Sequence, residues 1–413
     1  MKIAIIGSGI SGLTAAYYLH KDHAITVFEE RGQVGGHTDT HTIELAGKDW
    51  QVDTGFIVFN DWTYPNFIRL IDELGVTWQD SKMSFSVKCE RSGLEYKGGD
   101  LNGLFAQRRN LLSPTFIKMI ADILRFNKQA VQWLASGDDE TTLSGYLATQ
   151  GFSEAFKQHY IIPMGAAIWS ASEADMLRFP ARYFLRFFQN HGMLQVRNRP
   201  VWRVIQGGSS SYLAPLIKGF KENIRLNSPI ESVSRDSQGV LLKPQACETE
   251  RFDAVIFACH SDQALRLLAD ANSQEQAILG AIPYQENIAI LHTDTSILPA
   301  SPRAWAAWNY HVLPQARDCV ALTYNMNILQ SLPAPETFCV TLNYPEAIDP
   351  KRIIKQLVYH HPQFSLQGVA AQQRHAEISG VNHTYYCGAY WGFGFHEDGV
   401  RSALNVVEQI RHG

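Results

Sequence analysis

The run Met1-Lys2-Ile3-Ala4-Ile5-Ile6-Gly7-Ser8-Gly9-Ile10-Ser11-Gly12-Leu13-Thr14-Ala15-Ala16-Tyr17-Tyr18-Leu19 decides the fold. Its Ile-rich start reads as a strand buried on both faces, and the stretch after Gly12 reads as a helix. Between them stands Gly7-x-Gly9-x-x-Gly12. The first glycine allows a tight turn, the second lets the backbone approach a pyrophosphate, and the third lets helix and strand pack closely. Free N–H groups and the positive dipole end of the helix then face the phosphates. A second strand, Ala24-Ile25-Thr26-Val27-Phe28, ends in Glu29-Glu30. That is where an acid about 20 residues beyond the turn bonds a ribose hydroxyl. A dinucleotide-binding unit is the expectation, in preference to an ordinary strand–turn–helix with solvated glutamates.

The bulk numbers frame this. The chain has 413 residues, enough for two or three domains, with 45% apolar and 18% charged residues. A net charge of −4 gives no general attraction to nucleic acid. The six cysteines are scattered without CxxC or metal-ligand spacing, so reduced thiols and no metal site are expected. No apolar run is long enough to span a membrane. With a strand starting at residue 2, no leader is expected. A cytoplasmic protein is expected, with peripheral membrane contact still allowed.

Past Glu29 come Arg31 and then Gly35-Gly36-His37-Thr38, where paired glycines can bring N–H groups to the same phosphate-bearing ligand. Asp53-Thr54-Gly55-Phe56 follows a strand-like run, and Pro65 to Gly75 reads as a short helix with Pro near its start and Gly as its stop. With Glu29 and Gly35-Gly36 in hand, the chain resembles the FAD-dependent amine oxidase superfamily. That group includes monoamine and polyamine oxidases, protoporphyrinogen oxidase, phytoene desaturases and related isomerases, and within it the sequence is similar to a bacterial branch of NAD/FAD-binding oxidoreductases. The resemblance runs over nearly the whole chain and is sharpest at its two ends.

The resemblance implies non-covalently held FAD in an α/β fold. A Rossmann-like, glutathione-reductase-like FAD domain would be drawn discontinuously from residues 1–80, 201–270 and 376–413. An α+β substrate domain with a mixed sheet would come from 81–200 and 271–375, with a helical part at 100–200. It places Gly7, Ser8, Gly9, Ile10, Ser11, Gly12, Glu29, Glu30, Arg31, Gly35, Gly36, His37, Thr38, Thr54, Gly55, Phe56 and Cys259 at the cofactor. It also assigns Val233 to the adenine, through backbone groups. The closing stretch Gly388-Ala389-Tyr390-Trp391-Gly392-Phe393-Gly394-Phe395-His396-Glu397-Asp398-Gly399-Val400 matches the family's flavin-binding end. There Gly388 and the N–H groups of Gly399 and Val400 would meet the ribityl chain and ring. Two positions depart from the pattern. Ala389 stands where the family has an acid, leaving that contact to backbone groups or Asp398. His37 stands where amine oxidases carry Arg, and redox-neutral relatives can carry His or Asn there.

Candidates for chemistry are His396, Trp391 and Tyr390, with Phe393 and Phe395 as further walls of the substrate side; core packing is the plain alternative for the aromatics. His260 reads more readily as a structural histidine. The aromatic run Phe179 to Phe188 and the aliphatic helix after Ser113-Pro114 suggest an apolar substrate such as a fatty acyl or lipid chain. Dehydrogenation or desaturation by hydride transfer is the leading expectation. Redox-neutral isomerisation, amine oxidation and non-catalytic nucleotide binding stand as alternatives. Arg108, Arg109, Lys118 and Arg125 beside that apolar helix suit a membrane-interface helix as well as a solvated one.

Overall fold

A computed structural model describes residues 1–135, 138–315 and 317–412. The Ile-rich opening is β1 (Lys2–Ile6), buried from Ile3 onward. It is flanked in parallel by β2 (Ala24–Phe28) and by the strand Ala254–Phe257. Ile224–Arg225 and Thr384–Tyr386 complete a five-stranded parallel sheet, joining chain segments that are far apart in sequence. Between β1 and β2 runs α1 (Ile10–Leu19), whose Leu13, Ala15, Ala16 and Leu19 are fully buried. Its small residues let it lie close on the sheet.

The terminal helix His396–His412 packs against α1 at a glycine. A Cβ at Gly399 would lie 2.9 Å from Ile10 Cγ2 and from Ser11 Oγ. This close crossing sets the N-termini of the two helices side by side. A three-stranded meander, Ile230–Asp236, Gly239–Pro244 and Glu250–Phe252, packs on the face of the sheet opposite α1.

The second sheet has seven strands drawn from residues 85–97 and 284–362. It is antiparallel except where Phe85–Cys89 runs parallel to Trp308–Val312. One strand, Ile353–Pro362, is not predicted from sequence. It pairs along the whole of Tyr284–His292 yet buries only Tyr359, so it lacks the apolar signal of an interior strand. A 3-10 turn at Pro302–Ala304 leads into the strand Trp308–Val312. Against this sheet lies a helical region. The long helix Pro114–Leu134 starts at its Ser113 cap, with Pro114 in the first turn, as the sequence predicts. The aromatic run becomes the helix Ala181–Asn190, burying Phe184, Leu185, Phe187 and Phe188 in the largest core of the molecule.

Candidate functional site

At the glycine turn, Gly7 has a φ of +104°, and a Cβ there would sit 2.9 Å from the Ala258 carbonyl oxygen. A Cβ at Gly12 would lie 2.0 Å from the Gly7 carbonyl oxygen. Both glycines are therefore required by the protein itself. Gly9 is different: a Cβ there would meet nothing within 4 Å. It also serves as the N-cap of α1 without a side-chain cap, so the first N–H groups of the helix, from Ile10, Ser11 and Gly12, have no side-chain acceptor. Open space in front of uncapped donors is what a pyrophosphate needs.

The Gly35-Gly36 loop lies on this turn. Gly35 donates its N–H to the Ser8 carbonyl (3.0 Å), and a Cβ at Gly36 would come 3.0 Å from the Gly9 Cα. The Glu29 carboxylate, 7% exposed, accepts the Ser8 N–H (3.0 Å), the Ser8 hydroxyl (2.6 Å) and the Arg31 N–H (2.9 Å). Glu30 and the Arg31 side chain are exposed beside it. The Asp53-Thr54-Gly55 turn braces the same loop. Phe56 donates its N–H to the His37 carbonyl (2.7 Å), and Gly55 has no room for a side chain against that oxygen. Burial pushes the Asp53 carboxyl up to about 6, against the opposing pull of Thr40 and Ser209.

At the other end, Gly388 donates its N–H to Ser402 Oγ (2.9 Å), and a 3-10 turn at Ala389–Trp391 leads to the terminal helix. Two expectations are corrected here. Gly399 gives its N–H to the Phe395 carbonyl (3.1 Å), and Val400 lies inside the helix, so neither presents a free donor. The helix starts at His396, ahead of both residues, and its unpaired N–H groups are those of His396, Glu397 and Asp398. Asp398 does not replace the missing acid at Ala389. Its carboxylate accepts the Phe395 N–H (3.1 Å) and pairs with Arg401 (2.6 Å), and burial raises it to about 6.

His396 stacks on Phe56, with centroids 3.5 Å apart. Its Nε2 lies 3.0 Å from Thr38 Oγ1 and 3.1 Å from Tyr212 Oη. Burial, reinforced by His37, holds it well below the usual imidazole range, so the ring is neutral and fixed. Tyr390 is buried with its hydroxyl unpartnered, and its carbonyl accepts Gln372 Nε2 (2.7 Å). Trp391 turns toward His375 (4.4 Å), on the core under the parallel sheet. Phe393 and Phe395 pack instead against Tyr183 and Phe187 of the helical region. Trp169 Nε1 donates to the Phe393 carbonyl (3.1 Å), and Tyr183 donates to that of Gly392.

His37 is where the two sheets meet. Its ring lies 5.9 Å from His260, 5.3 Å from Tyr359 and 5.7 Å from His361. His260 stacks on Tyr284 (4.3 Å). Burial lowers His37 to about 4 and both His260 and His361 to about 3, and the neighbouring basic groups add to this. The sequence reading missed Tyr359 and His361 because they sit on the unpredicted edge strand; the only signal was the pair His360-His361 itself. Tyr359 also shares a hydrogen bond with Thr54 (2.8 Å). Cys259 lies with its backbone against Gly7, its thiol pushed up to about 12 by burial. Val233 is a further correction: it is buried in the meander and its carbonyl accepts the Ala269 N–H (2.9 Å), so it is spent on the fold.

These residues fit FAD. The turn has an open side only at Gly9, two helix starts carry unpaired donors, and His37 Nε2 and Tyr390 Oη are buried polar atoms without partners.

Comparison with known proteins agrees. The family model for flavin containing amine oxidoreductases matches residues 10–307. The 15-cis-phytoene desaturase of Arabidopsis thaliana is 25% identical over 290 residues, covering 65% of this chain and 50% of that protein. The 1-hydroxycarotenoid 3,4-desaturase of a Flavobacterium strain is 38% identical over 96 residues, 23% of this chain and 18% of that protein. The chain thus spans half or less of these curated relatives. Among solved structures, putrescine oxidase bound to putrescine superposes with a TM-score of 0.72 at 15% identity, covering 100% of both chains. Cyclohexylamine oxidase from Brevibacterium oxydans gives 0.72 at 15% identity, covering 99% of both. A CLA-producing fatty acid isomerase from P. acnes gives 0.69 at 17% identity, covering 98% of this chain and 97% of that one. At such identities these likenesses establish the fold alone.

Proposed function

The chain belongs to the flavin containing amine oxidoreductase family, with FAD as its cofactor, and on that premise we propose that it dehydrogenates or desaturates an apolar, lipid-like substrate. One observation carries the reading. The aromatic cluster packed on the flavin-binding stretch is Trp169, Tyr183, Phe187, Phe364, Phe393 and Phe395, and the charged groups beside it, Asp398 and Arg401, are paired with each other. The nearby carboxylate of Asp398 is spent on the Phe395 N–H and Arg401. A cationic amine would be desolvated there without a counter-charge, whereas a hydrocarbon chain would not. The curated relatives named as desaturases of phytoene and of a hydroxycarotenoid support the same class.

FAD, when bound, supplies a two-electron acceptor at flavin N5. The protein positions it. The uncapped start of α1 and the Gly35-Gly36 loop would hold the pyrophosphate and Glu29 the ribose, and the N–H groups of His396, Glu397 and Asp398 would offer a positive helix end to the flavin. Neutral His396, clamped by Phe56, Thr38 and Tyr212, orients the loop rather than moving a proton. The aromatic wall excludes water.

The test is anaerobic reduction of the purified flavoprotein, followed by its absorbance. Fatty acyl or polyene lipids are expected to bleach the flavin, and primary or polyamines are not. Bleaching by amines alone would refute the proposal. A second reading, redox-neutral isomerisation, is favoured by the neutral His37 in place of the family's arginine. It requires turnover only after flavin reduction, with no net electron transfer.

A further inference from the structure

We propose that the segment from Leu101 to Val131 docks this protein on the surface of an anionic phospholipid bilayer. Fourteen large apolar side chains are exposed among the described residues, and six of them, Leu101, Leu111, Leu112, Ile117, Leu124 and Val131, fall in this one stretch. Leu112 is 89% exposed. Such crowding on one short segment is the mark of an interaction surface rather than of scattered surface residues.

The helix Pro114–Leu134 shows how the surface is built. Its inner face buries Phe116, Met119, Phe126, Ala130 and Leu134 in the large core. An ordinary surface helix would be polar on the opposite face. Here Ile117, Ala121, Leu124, Lys128 and Val131 recur at helical spacing and are all exposed. They form one stripe along the outer face. The 3-10 turn Arg108–Leu112 leads directly into this helix and adds Leu111 and Leu112 at its N-terminal end.

Charge chooses the occupant. The whole chain carries −4. In this stretch, however, the basic residues are Arg108, Arg109, Lys118, Arg125 and Lys128, and the sole acid is Asp122. Asp122 is buried and taken by Arg125 (2.9 Å) and by the Ser153 N–H (2.9 Å). Arg108, Arg109, Lys118 and Lys128 are exposed and have no carboxylate partner among the described residues. Arg108 and Arg109 are held by backbone carbonyls, of Phe105 and Gly93, so their charges are fixed beside the leucines. An apolar stripe edged with uncompensated cations matches the boundary between acyl chains and anionic headgroups. A second copy of the chain fits poorly, because a two-fold contact through this face would set like charges against each other. No described helix is long and apolar enough to cross the membrane, so the contact is peripheral. The inference does not depend on which substrate is oxidised.

The experiment is flotation of the full flavin-loaded chain with vesicles of neutral phosphatidylcholine, or of phosphatidylcholine with one-third phosphatidylglycerol, at low and high salt. Binding is expected to be at least tenfold stronger to the anionic vesicles and to weaken with salt. L111S/L112S and R108Q/R109Q/K118Q/K128Q should each lose most of it while keeping the flavin spectrum and the melting temperature. L112W should show blue-shifted emission on anionic vesicles only. Equal binding by wild type and both variants, or none to any vesicle, overturns the proposal. So does a dimer in solution that L111S/L112S dissociates without any vesicle binding, which would assign the face to a second copy.

Discussion

The two ends of the cofactor site are built on different principles. At the glycine turn the protein works with backbone from two short segments: Gly7, Gly12, Gly35 and Gly36 are held by steric necessity, and Gly9 leaves open space between them. At the flavin-binding stretch it works with side chains drawn from the whole chain. Phe56, Thr38, Tyr212 and His396 form one clamp; Trp169, Tyr183, Phe187, Phe393 and Phe395 form another. The first arrangement tolerates almost no change and recognises a constant ligand part. The second is a packed aromatic surface that can be reshaped without unmaking the nucleotide site. One fold can therefore keep its cofactor while its substrate changes.

The largest effect that would test this contrast is Gly12→Val. A side chain 2.0 Å from the Gly7 carbonyl oxygen must separate α1 from β1. Loss of at least about 4 kcal/mol of stability and of all co-purifying flavin is expected, by denaturant unfolding and absorbance. Phe187→Ala probes the other end. The ring is 3% exposed and stacks on His191 (3.8 Å) and Phe395 (5.2 Å). Truncation should cost about 3–5 kcal/mol through the cavity it leaves, with bound flavin still near one per chain. If Phe187→Ala loses flavin as completely as Gly12→Val, the two ends are not separable and the contrast fails.

A smaller effect comes from Asp398. Its folded carboxyl titrates at about 6 against an ordinary 3.8. The folded state therefore binds the proton more tightly than the unfolded chain does. Stability falls as pH rises from about 4 to about 6, and the whole cost is present above that window. Asp398→Asn keeps an acceptor for the Phe395 N–H and removes the titration. The stability difference between wild type and variant should shift by about 2–3 kcal/mol across the window, against the wild type as pH rises, and stay flat from pH 6.5 to 8. A difference that does not vary with pH would mean that Asp398 is ionised throughout.

The contrast also explains what could be read from sequence. The glycine turn was legible because its constraints are local: Gly7, Gly12 and Gly35-Gly36 each state their backbone demand within a few residues. The flavin-binding end was legible as a segment, Gly388 to Val400, but not in its geometry. Gly399 and Val400 were misassigned because a helix start shifts by one turn with no change in composition. Val233 was misassigned because a backbone carbonyl leaves no trace in the sequence of the Ala269 N–H that it accepts. The edge strand with Tyr359 and His361 was missed because solvent covers most of it and its pattern is neither apolar nor cleanly alternating. What the sequence hides is long-range pairing; what it shows is chain geometry.

The smallest change in stability belongs to Gly9→Ala, and it is the sharpest test of the comparison. Gly9 has a φ of −72°, open to any residue, and an added methyl would meet no atom within 4 Å. Gly is the better N-cap residue by up to about 1 kcal/mol, so stability without cofactor should fall by no more than about that amount. No described protein atom occupies that methyl's space, which on the proposed reading belongs to the ligand. Flavin affinity is therefore expected to fall at least tenfold, read by titrating FAD into the stripped protein and following its fluorescence. Unchanged affinity would show that the pyrophosphate does not approach Gly9, and that the glycine turn serves packing alone. A loss confined to affinity would show that this glycine, unlike its two neighbours in the motif, is kept for the ligand and not for the fold.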